Sequence, residues 1–184
     1  IQILHLGRLI DFKSPDRTIQ AFEIAKEKGL DGNLLIAGDG PLRGYCELLM
    51  VRSPFRNSIH LLGNVGPKKV ESLYEESDIF TAHNITGEIT RQPESFGQSV
   101  IEAMSFGLPV VGTKHGGVLE TVIHGETGYL NQPGDVEAQA ESFLELAKNP
   151  ELRQKMGDAG RKRVAENFSP ELERENLKKI MGLL

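Results

Sequence analysis

At 184 residues, 39% of them hydrophobic, the chain is long enough to bury one sizeable core and short enough to form one domain. Its formal net charge of −5 leaves no dense basic face for nucleic acid or an anionic membrane surface, although local basic sites survive such a sum. One cysteine, Cys46, excludes an internal disulfide and a cysteine metal cluster; it suits a reducing cytosol and a small core position.

No apolar run approaches the ~20 residues of a membrane-spanning helix, so a soluble domain is expected. The chain opens at Ile1 directly on an apolar run, without methionine, signal peptide or linker, and reads as a piece of something longer.

Short runs rich in Val, Ile and Leu at 1–6, 34–37, 59–62, 79–82, 109–112 and 128–130 predict strands. Several are apolar at consecutive positions, as expected of parallel strands covered by helices on both faces. Between them, Ile19, Phe22 and Ala25, then Val70, Leu73 and Tyr74, then Val136, Ala140, Phe143, Leu144 and Ala147 recur at helical spacing. Ser14-Pro15 and Ser169-Pro170 place a capping hydroxyl before an N1 proline, and Gly40-Pro41 opens a helix in the same way. A doubly wound α/β domain with a helical tail follows, and its ligands belong in the loops at the carboxyl ends of the strands.

The first such loop, 7–15, carries Arg8 and Lys13 just before a helix start. A planar guanidinium, a mobile ammonium and free helix amides suit a diphosphate, and ordinary surface cations are the alternative. The second loop, 37–41, has two spaced glycines and falls short of a dinucleotide fingerprint, so it reads as structural. The third, 62–65, precedes Lys68 and Lys69 and offers exposed backbone.

The strongest signal is Glu94-Ser95-Phe96-Gly97-Gln98-Ser99-Val100-Ile101-Glu102. Ser95 and Gln98 match a capping box, which puts Glu94 just before a helix and Glu102 about two turns into it. At ~1.5 Å rise per residue the acids lie roughly 12 Å apart, comparable to the span between the sugar and ribose of a folded sugar nucleotide. The phosphates would fall between, at the first-turn amides, where Gly97 admits close approach. The alternative is an exposed loop acid and a surface helix charge.

Gly116 and Gly117 follow the fifth strand and suit either backbone approach to a ligand or a plain turn. His115 beside them is a proton shuttle or a polar surface residue. No D-x-D pair, H-E-x-x-H run or Cys/His cluster points to a metal, so Arg8 and Lys13 are the natural counter-charges.

These residues resemble the large retaining glycosyltransferase group often called family four, built on the two-domain GT-B architecture. The resemblance covers nearly the whole chain. It rests on G-R-x4-K at 7–13, the E-x7-E pair of Glu94 and Glu102, A-M-S-F-G-L-P-V-V at 103–111, and G-G-x-x-E at 116–120. It implies a Rossmann-like, donor-binding C-terminal half that uses a UDP-, GDP- or ADP-sugar as substrate and no cofactor. Arg8 and Lys13 would bind the diphosphate, Glu94 the hydroxyls of the transferred sugar, Glu102 the ribose, and Val65 would face the base. Amides near Phe96 and Gly97, flanked by Ser95 and Gln98, would complete the contacts, with Gly116 and Gly117 alongside.

The same resemblance implies metal-independent hexosyl transfer with retention, in polysaccharide or glycolipid assembly. The glycan or glycolipid acceptor would be bound by an N-terminal domain absent from this chain, and the isolated half would be inactive. The expected location is cytoplasmic, with peripheral contact of the full-length enzyme at the inner membrane face left open. The tail 170–184 resembles a final helix that runs back toward that other domain.

Two departures stand out: Leu119 replaces the family's usual proline, and a long polar stretch, 83–93, precedes Glu94. Arg161-Lys162-Arg163 reads as a solvated helix face, with anionic lipid as the alternative. A nucleotide-binding module without transfer activity, or a sugar-nucleotide epimerase using His115 and Glu94, are the competing functions.

Overall fold

Successive side chains of a strand point to opposite faces, and here both faces are buried. Ile3 enters one core cluster and Leu4 the other, and Leu34 and Leu35 divide in the same way. The computed structural model describes residues 1–92, 97–168 and 174.

In chain order the elements are β1 (Gln2–Leu6), α1 (Pro15–Glu27), β2 (Asn33–Ala37), α2 (Arg43–Arg52), β3 (Ile59–Gly63), α3 (Pro67–Glu75) and β4 (Ile79–Ala82). Then come α4 (Gln98–Ser105), β5 (Val110–Thr113), α5 (Val118–Thr121), β6 (Gly128–Asn131), α6 (Val136–Lys148) and α7 (Pro150–Asn167). All six predicted strands form. They pair in parallel in the order β3-β2-β1-β4-β5-β6, with Leu4 opposite Leu35 on one side and Phe80 on the other.

One core packs Ile3, Ile36 and Ile79 against Ile19 and Phe22 of α1 and Phe143 of α6. The other packs Leu4, Phe80 and Val110 against Leu73 and Tyr74 of α3 and Val100 and Met104 of α4. Cys46 lies in the first core, and burial pushes its thiol up to about 12.

Three helix starts differ from the sequence expectation. Ser14 precedes Pro15 but takes a left-handed conformation with φ 39°, and its hydroxyl donates to the Asp11 carbonyl at 2.8 Å instead of capping α1. A 3-10 turn at Asp11–Lys13 brings that carbonyl within reach. After Gly40-Pro41 the chain first donates Leu42 N–H to the Leu9 carbonyl at 2.9 Å, which delays α2 to Arg43. The third, at α4, bears on the site below. Ser169-Pro170 and, apart from residue 174, the tail 170–184 lie outside the described residues.

Helix α7 is not among the helices that periodicity marks, because its inward positions are the inconspicuous Met156, Gly157 and Gly160. A methyl on Gly157 would run into the Gly107 carbonyl, so the helix lies directly on backbone. The basic triplet is also not a uniformly solvated face. Arg161 donates to the Phe106 carbonyl at 2.7 Å, and Arg163 to the Thr121 and Glu120 carbonyls at 2.7 and 2.6 Å. Two of its three side chains fasten α7 to the turn after α4 and to the C-terminal end of α5.

Candidate functional site

Strand order reverses between β1 and β4, which are adjacent in the sheet. From β1 the chain leaves to α1 on one face, and from β4 to α4 on the other. The loops part there and leave a crevice at the carboxyl edge, with neighbouring strands ~4.8 Å apart.

The wall after β1 holds the predicted cations. Arg8 is exposed, and Lys13 is half-buried. The Lys13 side chain folds back over Gly7, where an added methyl would fall 3.2 Å from Cδ and 3.4 Å from Nζ. The second loop braces this wall: Gly7 donates to Ala37 O at 3.0 Å, Leu9 to Asp39 O at 3.0 Å, and Gly38 to Gly63 O at 2.8 Å. A methyl on Gly38 would overlap the Gly7 carbonyl, and one on Gly40 would lie 2.5 Å from the Leu9 carbonyl. Those two glycines therefore serve close packing of loops.

Under this wall sits His5, 2% exposed, with no hydrogen-bond partner for either ring nitrogen among the described residues. Burial first, then the Lys13 ammonium, lower its pKa to about 3, against a smaller opposing pull from the Thr81 backbone. The ring is therefore neutral.

Across the crevice, α4 begins at Gln98, with Gly97 as its cap in the left-handed region at φ 73°. Gln98 is thus the first helical residue and not the third, which corrects the capping-box register. Its amide donates to Glu102 Oε1 at 2.9 Å instead of reaching back, and Glu102 stands just over one turn into the helix. The requirement at Gly97 is conformational, since an added methyl would make only ordinary contacts at 3.5 Å.

The other oxygen of Glu102 accepts the Tyr74 hydroxyl at 3.0 Å, and Tyr74 stacks on Phe106 with ring centroids 5.2 Å apart. Burial, then the neighbouring carboxylate, push the Tyr74 phenol up. Glu102 is therefore held from two sides beside a groove of about 340 Å³ lined by Val65, Pro67, Val70, Tyr74 and Phe106. That volume lies within the ~300–1,000 Å³ of small-molecule sites.

Sequence reasoning missed the groups that hold the loop after β4. His83 is fully buried; it accepts the Gly134 amide at Nε2 (2.9 Å), and its Nδ1 lies 2.6 Å from Gln139 Oε1. Gln139 donates to Thr81, which donates to the Val111 carbonyl. The chain of donors requires the proton on Nδ1. Burial, ahead of the Gln139 bond that opposes it, lowers the His83 pKa.

Further on, the Asp11 carboxylate accepts the amides of Ile89 and Thr90, each at 2.8 Å, and the Thr90 hydroxyl at 2.9 Å. Desolvation alone would raise this carboxyl, but these bonds and the Phe12 amide outweigh it and hold it below its ordinary value. At the other end of the loop, Thr86 Oγ1 lies 3.0 Å from His115 Nε2. The 83–93 stretch is therefore a fastened element as far as residue 92.

After β5, Gly116 (φ 57°) and Gly117 lead into α5. Leu119 sits in the first turn of α5 and donates its amide to Gly116 O at 3.1 Å, a bond that the family's proline would forgo. Arg8, Lys13, Val65, Gly97, Gln98, Glu102, Gly116 and Gly117 all reach the same edge of the sheet. Glu94, Ser95 and Phe96 lie outside the described residues. Among the described residues no three His, Cys, Asp or Glu side chains gather as a metal site, and no helix is long and apolar enough to cross a membrane.

The strand order and its reversal define a Rossmann-like domain with the fold found in GT-B glycosyltransferases. The chain belongs to the family described as glycosyl transferases group 1, which matches residues 1–163. It is 32% identical over 170 residues to N-acetyl-alpha-D-glucosaminyl L-malate synthase of Bacillus anthracis, covering 92% of this chain and 42% of that protein. It is 30% identical over 180 residues to the capsular polysaccharide biosynthesis glycosyltransferase CapM of Staphylococcus aureus, covering 96% and 44%. The chain thus spans less than half the length of these relatives. Among solved structures, Anabaena HepE in complex with UDP superposes with a TM-score of 0.86 at 22% identity, over 100% of this chain and 49% of that one.

Proposed function

We propose that this chain is the donor-binding half of a metal-independent, retaining glycosyltransferase acting on a nucleotide-diphospho-sugar. The observation that carries this is the convergence, at one crevice, of the Arg8 and Lys13 wall with the N-terminus of α4, beside a doubly tethered Glu102.

In this reading Glu102 accepts the ribose hydroxyls while Tyr74 and Gln98 keep its carboxylate in place. The apolar groove at Val65 holds the base. Arg8, Lys13 and the open amides of α4 receive the diphosphate and the negative charge that builds on it as the glycosidic bond breaks. Glu94 takes the hydroxyls of the transferred hexose, aided by Ser95 and Phe96, and Gly116 and Gly117 let backbone approach. A glycan or glycolipid acceptor is bound by a second domain, without which this half turns over no donor. UDP is the first nucleotide to test, because HepE was crystallised with it.

Calorimetric titration with UDP, GDP and ADP tests the proposal. One nucleotide should saturate the chain, and Arg8→Ala, Lys13→Ala and Glu102→Ala should each weaken it by about 1.5–3 kcal/mol, the worth of a hydrogen bond to a charged group. Undiminished affinity in all three variants would sink the assignment. Adding the second domain and an acceptor, and looking for product, separates the transferase from a binding module that catalyses nothing.

A further inference from the structure

The loop at 84–92 is more tightly organised than its polar composition suggests. Gly87 donates to Gln92 O and accepts from Arg91 N–H, both at 3.0 Å, and Arg91 takes φ 56° to close this turn. The turn rests on Asp11, which lies in the cation wall between Arg8 and Lys13 and accepts three bonds from Ile89 and Thr90. Ile85 adds its amide to the Phe12 carbonyl at 2.9 Å, and Thr86 meets His115 in the wall after β5. The loop is thus a strap fixed at Ile85 and Thr86 and again at Ile89 and Thr90.

Its side of the crevice is opposite the base groove. The Val65 groove belongs to the face covered by α3 and α4. The strap lies over α1 and α2, where Asp11, Ile85 and Ile89 border a cavity of about 150 Å³ with Leu42 and Tyr45. A donor with its base in the groove and its diphosphate at the switch point sends its sugar toward the strap.

We infer that Asp11 is a positioning residue for the sugar end of the donor: its carboxylate latches the 84–92 loop so that the loop walls the space the sugar enters. This rests on the donor assignment above. Asp11 does not itself touch the sugar. Its contribution is to spend three acceptor bonds on the loop from the same 7–15 stretch that carries Arg8 and Lys13.

Two variants separate the latch from the charge. Asp11→Asn removes a negative charge beside Arg8 and Lys13, which changes affinity for every nucleotide alike. Gly87→Ala keeps that charge but places a methyl into Thr90 Oγ1 and 2.7 Å from Asp11 Oδ2, so the turn must leave its seat.

Amide hydrogen exchange of Ile89 and Thr90 reads the latch, and calorimetry with UDP, UDP-glucose and UDP-N-acetylglucosamine reads its consequence. Both variants should speed exchange at these amides by about tenfold or more. Both should also lower affinity for the better UDP-sugar, relative to UDP, by about tenfold, the effect of one lost well-placed contact. Unchanged exchange overturns the latch. Faster exchange with an unchanged UDP-sugar to UDP ratio overturns the positioning role. Failure of the unaltered chain to bind any of the three ligands overturns the donor assignment itself, a result distinct from either.

Discussion

The loops after β1, β2 and β3 are held together chiefly by backbone, and those after β4 and β5 by side chains. On the first side Gly7, Leu9, Gly38 and Leu42 donate main-chain hydrogen bonds directly across neighbouring loops. On the second, His83, Gln139, Thr81, Thr86 and His115 do the joining. At Gly38 and Gly40 the backbone-braced side has no space for an added carbon, because the main chains are already in contact. Its side-chain-braced counterpart depends on each buried polar group keeping its partner. On the proposed reading, the first side would face the diphosphate and the second the sugar.

Gly38→Ala should separate the two sides most sharply. A methyl at φ 139° is strained and overlaps the Gly7 carbonyl, so a loss of about 3 kcal/mol or more in urea unfolding is expected. A loss under about 1 kcal/mol would mean that the cation wall yields as readily as its neighbour.

His83→Ala ranks next. It leaves the half-buried Gly134 amide and the buried Gln139 amide oxygen without partners, at about 2–3 kcal/mol. His83→Asn should recover part of that in the same unfolding measurement if hydrogen bonding, more than ring volume, is what the loop needs.

The smallest effect at pH 7, and the one that crosses between the sides, is the pH dependence from His5. Its folded pKa, about 3, lies below the ordinary 6.5, so in between the unfolded chain binds the extra proton. The contribution is therefore complete above pH 6.5 and is lost as pH falls toward 3, by at most ~1.4 kcal/mol per unit. His5→Leu should flatten the acid limb of stability against pH without weakening the chain at pH 7. An unaltered limb would place the acid sensitivity in the other groups whose pKa is lowered, His83 and Asp11.

The predicted strands reappear nearly residue for residue, because the central ones, β2, β1, β4 and β5, are buried on both faces and leave dense apolar runs. The cation loop and the paired glycines were equally visible, as local sequence placed them at strand ends. Helix α4 was located correctly but started two residues early in the sequence expectation: Ser95 and Gln98 satisfy a capping pattern, whereas the described backbone turns at Gly97. Helix α7 was obscured because glycines that pack against backbone carry no hydrophobic signal.

The groups that organise the site were not legible, for a common reason of distance. Tyr74 and Glu102 are 28 residues apart, His83 and Gln139 56, and Asp11 and Thr90 79. Before folding, Asp11 is one acid between two cations and His83 one polar residue in a loop. Composition and periodicity by themselves determined the doubly wound sheet and the edge that carries its chemistry, since both follow from interactions along a few consecutive residues. Only the tertiary structure decided which hydroxyl steadies Glu102 and which carboxylate seats the 84–92 loop, because a hydrogen bond is selected by where two distant strands end.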